Sequence, residues 1–287
     1  MVTSSSTPLI SIVSSVGCPL TSEEILALNE IAALNFDEMH RTRLTQTGVL
    51  GLDEMLGGGI PSGRSVLILG EPGAGKTTLC SLFLANGYRK FDENGVYVSL
   101  EESKGHLFRE MARFGINFAA AEMKKQFVFV DASPMRHVPN IVRASNISIG
   151  KKEFSLLALM DSVKRAIGTV DAKRVVIDPL SYFIFQYTNS AELRGALIDL
   201  MDALAGLDAT VLMTSELRSS GSIVRDRIQM EEYVAHGTII MQSVRVGPGL
   251  VRVIQVQKMR ECEADRQPRP YVINKDGIMV YPKETVF

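Results

Sequence analysis

The chain is poor in cysteine, in long apolar runs and in net charge. Its three cysteines, Cys18, Cys80 and Cys262, are far apart and form no CxxC pair, so we expect reduced thiols in a cytoplasmic protein rather than a disulfide framework. No apolar run approaches the length of a membrane span, and no membrane insertion is expected. The N-terminus lacks the basic region of a signal peptide. A formal net charge of −1 provides no global cationic field for nucleic acid or anionic lipid.

The composition of the chain is that of a globular protein. Of its 287 residues, 46% are hydrophobic and 22% are charged, which allows one large domain or two small ones. Residues 1–44 are predicted to form a flexible Ser-rich tail followed by a helix. That helix would begin at a capping box, Thr21-Ser22-Glu23-Glu24, and end near His40. Residues 45–287 form the predicted main domain.

Residues 70–78 read GEPGAGKTT and match the phosphate-binding loop pattern Gly70-x-x-x-x-Gly75-Lys76-Thr77. Glycines permit backbone geometries in which successive N–H groups surround an anion. The helix that follows directs its positive dipole end to the same place. Lys76 would hold the β- and γ-phosphates of a nucleotide, and the Thr77 hydroxyl suits Mg²⁺.

The neighbouring sequence favours a phosphate site over a structural glycine turn. An apolar run typical of a buried parallel strand, Ser65–Leu69, precedes the loop, and a segment of helical length, Leu79–Ala85, follows it. The predicted cofactor-binding residues are Gly70, Glu71, Pro72, Gly73, Ala74, Gly75, Lys76, Thr77, Thr78 and Asp178.

From Thr47 onward, strand-like and helix-like segments alternate, which predicts an α/β fold with a mainly parallel, twisted sheet flanked by helices. The predicted strands are Val66–Leu69, Val96–Leu100, Phe127–Val130, Arg174–Asp178 and Thr210–Thr214. The predicted helices are Lys76–Arg89, Lys104–Phe114, Ser155–Gly168 and Ala191–Gly206. Ala132–Lys152 has no clear period and is predicted to be a long loop.

Beyond Gly237 the pattern changes to strands that are joined by tight turns. The predicted strands Thr238–Val244 and Val251–Lys258 flank Val246-Gly247-Pro248-Gly249, and two shorter ones flank Lys275-Asp276-Gly277. We therefore expect an antiparallel C-terminal extension of the sheet.

Two strand ends carry acidic residues. Asp178 ends the apolar run Val175-Val176-Ile177, where a carboxylate would hold a Mg²⁺-bound water or the Thr77 hydroxyl; it could also cap a turn. Glu101 and Glu102 follow another predicted strand, where a carboxylate could deprotonate an attacking water. They also suit the first turn of the next helix, and the two interpretations are compatible.

Lys258 and Arg260 end the predicted strand Val251–Lys258, and alternation places them on the same side. Two cations at a sheet edge could form a solvated surface pair or serve a phosphate that an adjacent subunit supplies. The residues alone leave both alternatives open.

The motifs together resemble the KaiC-type family of RecA-like ATPases, over about residues 45–283. The segment from Thr47 to Gly63 resembles the lead-in that these proteins share, and Leu100-Glu101-Glu102 resembles their paired catalytic glutamates. Asp131–Pro134 occupies the place of a common family phrase. Val176-Ile177-Asp178 resembles the Walker B strand. Met213–Glu216 resembles the next strand end, where polar side chains sense the γ-phosphate, and Lys258-Met259-Arg260 resembles the Lys-x-Arg finger.

The resemblance implies a RecA fold, a homohexameric ring and Mg²⁺-dependent ATP hydrolysis at subunit interfaces, with Lys258 and Arg260 acting on a neighbour's nucleotide. There are departures. KaiC itself has two such domains in tandem, whereas this chain has one. The family often continues with Gly-Thr-Ser-His after the finger, where this chain has Glu261-Cys262-Glu263-Ala264. Neither clock function nor autophosphorylation is carried over.

Three functions remain in competition. The leading one is a ring-forming ATPase whose nucleotide state alters its surface for an unidentified protein partner. The second is an ATP-gated scaffold with little turnover, like the KaiC-type subunit of the archaeal flagellar motor. The third is a DNA-binding recombination protein that would use Ser219–Ser222 with Arg225 and Arg227, although a solvated loop explains these residues as well.

Overall fold

The computed structural model describes residues 43–133, 156–217 and 229–286. Three sequence predictions fall outside these residues: the helix that begins at the Thr21 capping box, the loop after Ser133, and the segment that contains Arg225 and Arg227.

The described residues alternate between strands and helices along the chain. The strands are β1 (Leu44–Thr45), β2 (Ile60–Pro61), β3 (Ser65–Gly70), β4 (Gly95–Ser99), β5 (Phe127–Asp131), β6 (Arg174–Asp178), β7 (Thr210–Glu216), β8 (Gly237–Val246), β9 (Gly249–Met259), β10 (Arg269–Asn274) and β11 (Gly277–Val280). The α-helices are α1 (Leu52–Met55), α2 (Lys76–Asn86), α3 (Lys104–Ala112), α4 (Phe118–Met123), α5 (Leu156–Val170), α6 (Ser181–Ile184), α7 (Ser190–Ala205) and α8 (Met230–Val234).

Nine strands form one sheet in the order β11-β10-β9-β8-β3-β7-β6-β4-β5. The six strands from β8 to β5 in this order are mutually parallel. The remaining three continue the sheet in antiparallel pairing. The predicted α/β class with a mainly parallel sheet and an antiparallel C-terminal extension is confirmed.

Both predicted hairpins are present. Val246 pairs with Gly249 across the turn Gly247-Pro248, and Asn274 pairs with Gly277 across the second turn. The first hairpin differs from the prediction in one respect. Its strand β8 also pairs in parallel with β3, so the antiparallel extension begins at β9.

The sheet has an apolar layer on each face, because alternate residues of the central strands point to opposite sides. Val66 and Ile68 of β3 belong to the core that also contains buried residues of α2, α3 and α4. Leu67 and Leu69 belong to the core that also contains buried residues of α5 and α7. The central strands therefore read as unbroken apolar runs.

The predicted helix Lys76–Arg89 is shorter than expected and continues as a π-helical segment, Gly87–Phe91. The buried side chain of Arg174 lies against this segment. Its guanidinium pairs with Glu93 at 2.7 Å and donates to the main-chain oxygen of Phe83 at 2.8 Å. A Cβ on Gly87 would lie 2.6 Å from the Arg174 side chain, so the wider turn and the glycine make room for a buried cation.

Four short helices, α1, α4, α6 and α8, were not predicted from the sequence. The side chain of Asn117 accepts a hydrogen bond from the N–H of Ala120 and caps α4. Gln229 and Glu232 form a capping box at the start of α8. All four helices are too short to show a helical period. In residues 43–133, 156–217 and 229–286, we find no helix whose length and apolarity suffice to cross a bilayer.

Candidate functional site

The carboxyl ends of four neighbouring parallel strands bring the predicted site residues to one edge of the sheet. Gly70 ends β3, and the adjacent β7 ends with Thr214, Ser215 and Glu216. Asp178 ends β6 and pairs in register with Ser99 at the end of β4. Residues separated by more than 100 positions in the chain thus converge, as expected for an open parallel sheet.

The loop between β3 and α2 has a backbone shape that suits an anion. Gly73 and Gly75 both have positive φ, at 77° and 93°. No described residue accepts a hydrogen bond from the main-chain N–H of Gly75, Lys76 or Thr77. These donors lie at the N-terminus of an 11-residue helix, whose dipole favours negative charge there.

The remaining predicted loop residues occupy supporting positions. The carboxylate of Glu71 accepts a hydrogen bond from the N–H of Ser243 at 3.2 Å. Pro72 is exposed, whereas Ala74 and Thr78 are buried against the core. The loop is therefore anchored at both ends and open in the middle.

Lys76 has its ammonium group folded over the loop. Its Nζ donates to the main-chain oxygens of Gly70 at 2.9 Å and Glu71 at 3.1 Å. Burial lowers the pKa of Lys76, while the negative charges of Asp178 and Glu216 oppose that shift. A cation that is partly desolvated beside open N–H donors is well placed to hold phosphate oxygens.

The carboxylate of Asp178 accepts hydrogen bonds from three side-chain hydroxyl groups. Thr77 Oγ1 donates to Asp178 Oδ2 at 2.8 Å, and Tyr97 and Thr214 donate to the same carboxylate. The Thr77 hydroxyl keeps a lone pair free for a cation while its proton points to Asp178. A hydroxyl oxygen is a suitable ligand for Mg²⁺ beside phosphates, and a carboxylate that accepts its proton strengthens that ligand.

Sequence reasoning missed Tyr97. The residue is 1% exposed in β4, and burial together with the Asp178 charge raises the pKa of its hydroxyl well above the ordinary value. The signal was a tyrosine inside an otherwise apolar strand, because a buried phenol needs a polar partner.

The two glutamates after β4 differ in environment. Glu101 is exposed, whereas Glu102 is partly buried. Oxygen Oε2 of Glu102 is buried, and no described residue forms a hydrogen bond with it. Burial raises the pKa of Glu102, and the charges of Glu110, Asp178 and Glu101 raise it further.

The structure fixes Glu102 through the main chain. The hydroxyl of Ser99 donates to the main-chain oxygen of Glu102 at 2.7 Å and accepts from its N–H at 2.9 Å. Ser99 in turn pairs with Asp178 on the neighbouring strand. This pairing brings the carboxylate of Glu102 close enough to that of Asp178 for their charges to interact. Glu102 therefore has one carboxylate oxygen buried close to the candidate metal site, where a group that takes up a proton could act.

Lys258 and Arg260 do not join this edge. Lys258 pairs with Thr238, and the N–H of Arg260 donates to the main-chain oxygen of His236 at 3.1 Å. Both therefore lie beside the start of β3, where Val66 pairs with Gly237. The loop follows the other end of β3, roughly 13 Å away at the rise of a strand.

The two cations also differ from each other. Lys258 Nζ donates to the main-chain oxygens of Glu232, Tyr233 and Ala235 at 3.1, 3.3 and 2.6 Å. Burial lowers the pKa of Lys258, and the charge of Arg260 lowers it further. Arg260 is exposed. Lys258 thus rests on the C-terminal end of α8, and Arg260 presents its guanidinium to solvent.

The segment in which this chain differs from the Gly-Thr-Ser-His continuation of the finger motif begins at Glu261. Glu261 has a positive φ of 61° and forms a two-point ion pair with Arg64, one contact of which is 3.1 Å. Cys262 donates through its Sγ to the main-chain oxygen of Leu56. These contacts fix the turn that carries Arg260 to the start of β3.

Known proteins are similar to this chain over most of its length. The family model described as "ATPase: KaiC" matches residues 45–285. The chain is 33% identical over 243 residues to the "Circadian clock protein KaiC3" of Synechocystis sp., covering 84% of this chain and 46% of that protein. It is 31% identical over 264 residues to the "Circadian clock oscillator protein KaiC" of Synechococcus elongatus, covering 92% of this chain and 48% of that one.

A solved structure is also similar. The crystal structure of a "KaiC-like protein" from the hyperthermophilic archaeon Pyrococcus horikoshii superposes with a TM-score of 0.69 at 30% identity, covering 84% of this chain and 100% of that chain. The chain spans about half the length of the curated clock proteins it matches. On the combined agreement of family model, relatives and structure, the chain belongs to the KaiC family of ATPases.

Proposed function

We propose that this chain is a Mg²⁺-dependent ATPase that works as a ring oligomer in the cytoplasm. One observation carries the proposal: the Thr77 hydroxyl is hydrogen-bonded to Asp178 directly beside the open N–H donors of the loop. The sites for the phosphates, for magnesium and for the attacking water then lie at one edge of the sheet. A structural turn would not need a carboxylate, a hydroxyl and a lysine in this arrangement.

The loop supplies binding. The N–H groups of Gly75, Lys76 and Thr77 would surround the phosphates, and Lys76 would exchange its two carbonyl contacts for phosphate oxygens. Thr77 and Asp178 would hold Mg²⁺, with Asp178 acting through the Thr77 hydroxyl or through water. When bound, the metal neutralises charge on the phosphate oxygens.

Glu102 is our candidate for the general base, with Glu101 beside it. The buried Oε2 of Glu102 has no hydrogen-bond partner among the described residues, so we propose that it accepts a hydrogen bond from the attacking water molecule when nucleotide is bound. The carboxylate would take a proton from that water as it attacks the γ-phosphate. Glu101 contributes its negative charge, which raises the pKa and the basicity of Glu102.

Position argues that Arg260 acts on a neighbouring subunit's nucleotide. Arg260 lies at the amino edge of the sheet, where the parallel strands begin, and the phosphate loop of the same chain lies at the carboxyl edge, where they end. Arg260 is therefore too far from the phosphate site of its own chain. In a ring, each amino edge can face the next subunit's loop. We propose six subunits, as the family resemblance implies, with Arg260 stabilising charge on the transferring phosphoryl group. Lys258 would join it only by giving up its contacts with α8.

The nucleotide state would regulate an unidentified protein partner. A second candidate is a scaffold that binds ATP and hydrolyses it slowly. The contacts of Lys258 with its own chain favour this candidate, because they hold its ammonium group away from a neighbour's nucleotide. A measured turnover number separates these two. The DNA-binding alternative rests on Arg225 and Arg227, which lie outside the described residues, and it would require salt-dependent binding to single-stranded DNA.

The direct test is nucleotide binding by Lys76→Ala. We expect no measurable affinity for Mg²⁺–ATP by isothermal titration calorimetry, because the variant lacks the phosphate-facing cation. Lys283→Ala is the matched control, since the Lys283 side chain is 85% exposed and its ion pair among the described residues is a long surface contact of 3.8 Å with Glu54. Equal affinity in the parent and Lys76→Ala would show that the loop does not bind phosphate.

A further inference from the structure

The C-terminal hairpin of β10 and β11 contacts the phosphate loop from behind. Tyr271 in β10 is 2% exposed, and its hydroxyl donates to the main-chain oxygen of Ala74 at 2.5 Å. Burial raises the pKa of Tyr271 to about 12, so the hydroxyl keeps its proton throughout the neutral range. The loop therefore has a permanent donor on its outer side, 197 residues away in the chain.

This hydrogen bond determines which way one peptide group faces. The bond between Ala74 and Gly75 is trans, and in a planar trans peptide the C=O and N–H groups point in opposite directions. Because the oxygen of Ala74 is held toward the hairpin, the N–H of Gly75 points away from the hairpin, toward the side of the loop where a phosphate would bind. The N–H of Ala74 itself is occupied by the oxygen of Glu71 at 3.1 Å.

The hairpin also closes the space behind the loop. A Cβ on Gly75 would lie 2.6 Å from Ile273 Cδ1, so β10 packs directly against the backbone there. At the turn of the hairpin, a Cβ on Gly277 would lie 2.8 Å from a methyl group of Leu82 in α2. Loop, helix and hairpin therefore pack as one unit, and the Tyr271 hydroxyl is not a loose surface contact.

We propose that Tyr271 is a positioning residue for the phosphate site. It holds the Ala74–Gly75 peptide in the orientation that presents the Gly75 N–H to a phosphate oxygen. The hairpin of β10 and β11 thereby takes part in nucleotide binding although it contributes no motif residue. This inference rests on the proposed function, because it assumes that the loop binds nucleotide phosphates.

The test is Tyr271→Phe, which keeps the packed ring and removes only the hydroxyl. The peptide then loses its outer partner and can turn its N–H away from the phosphate. We expect ADP with Mg²⁺ to bind about 3- to 10-fold more weakly by titration calorimetry, the loss expected for one neutral hydrogen bond. The turnover number at saturating ATP should fall less than the affinity, because Tyr271 touches no reacting atom.

Tyr281→Phe is the matched control, since Tyr281 follows the same hairpin and among the described residues its hydroxyl makes no hydrogen bond with the loop. Thermal unfolding with and without ADP separates positioning from simple stability. Positioning predicts a smaller ADP-induced rise in melting temperature for Tyr271→Phe than for the parent. An equal rise, with both curves lowered together, would overturn the proposal.

The parent protein distinguishes the two possible failures. If the parent binds ADP and Tyr271→Phe binds it equally well, the role of Tyr271 is refuted and the proposed function stands. If the parent itself binds neither ADP nor ATP, the proposed function fails and the role of Tyr271 fails with it.

Discussion

The exchange Glu102→Gln should abolish turnover and leave ATP binding intact. Glutamine keeps the size of the side chain and its contact to Ser99, which runs through the main chain. It cannot accept a proton at neutral pH. Loss of a positioned general base typically lowers the rate by about 10²–10⁴-fold, which corresponds to roughly 3–5 kcal/mol in the barrier.

The pH dependence gives a second, independent signature. Burial and three neighbouring carboxylates raise the pKa of Glu102 above its ordinary value of 4.5. A raised pKa means that the carboxylate stays protonated to higher pH, and a protonated base is inactive. The acid limb of the turnover number should therefore lie above pH 4.5. In Glu101→Gln, one neighbouring negative charge is gone, so the limb should move to lower pH.

The assay is phosphate release at saturating ATP over a pH series, together with ATP titration of each variant. Glu101→Gln serves as the matched control, because Glu101 is exposed and Glu102 is partly buried. It should retain more activity than Glu102→Gln. Unchanged turnover in Glu102→Gln, or an acid limb that does not respond to the Glu101 charge, would refute this assignment of the base. The double variant should be inactive and should still bind ATP.

Three further outcomes follow from the contacts. Asp178→Asn should raise the Mg²⁺ concentration that supports half-maximal ATPase activity by about 10- to 100-fold, the usual cost of losing a carboxylate that orients a metal ligand, and a metal titration measures it. Arg174→Ala should destabilise the fold by about 3–5 kcal/mol in urea unfolding, since it breaks a buried ion pair; Lys173→Ala, which loses only surface pairs, should cost less than about 1 kcal/mol. Lys258→Ala should retain more turnover than Arg260→Ala, because the Lys258 ammonium is engaged by its own chain.

The sequence predicted the core of the fold because its central strands are buried on both faces. Val66–Leu69 and Val175–Ile177 are unbroken apolar runs, and their lengths distinguish strands from helices. The two hairpin turns carry glycine at positions that need positive φ, including Gly247 and Gly277. These signals are local, so no three-dimensional information was needed.

The contacts that complete the site are long-range, and for that reason they could not be predicted. Tyr97 reaches Asp178 across 81 residues, and Tyr271 reaches Ala74 across 197. Similarly, the π-helical segment after Asn86 depends on Arg174, which belongs to another strand. Sequence alternation placed Lys258 and Arg260 on one side, but Arg260 lies beyond the end of β9, in a turn where strand alternation no longer applies.

The assembly is the central claim, and mixing two inactive variants tests it most directly. Arg260→Ala keeps an intact base at Glu102, and Glu102→Gln keeps an intact Arg260. Each variant alone should be nearly inactive. In mixed rings, some interfaces would combine an intact Glu102 with an intact Arg260 from the next subunit.

The measurement is phosphate release from equimolar mixtures, with mixed oligomers verified by native mass spectrometry. An arginine finger is worth about 10³–10⁵ in rate in other nucleotide hydrolases, so restored interfaces should stand far above the background of either variant. We predict that activity recovers in the mixture and increases with protein concentration. Mixed oligomers that form and remain inactive would contradict the account and remove Arg260 from the neighbour's site.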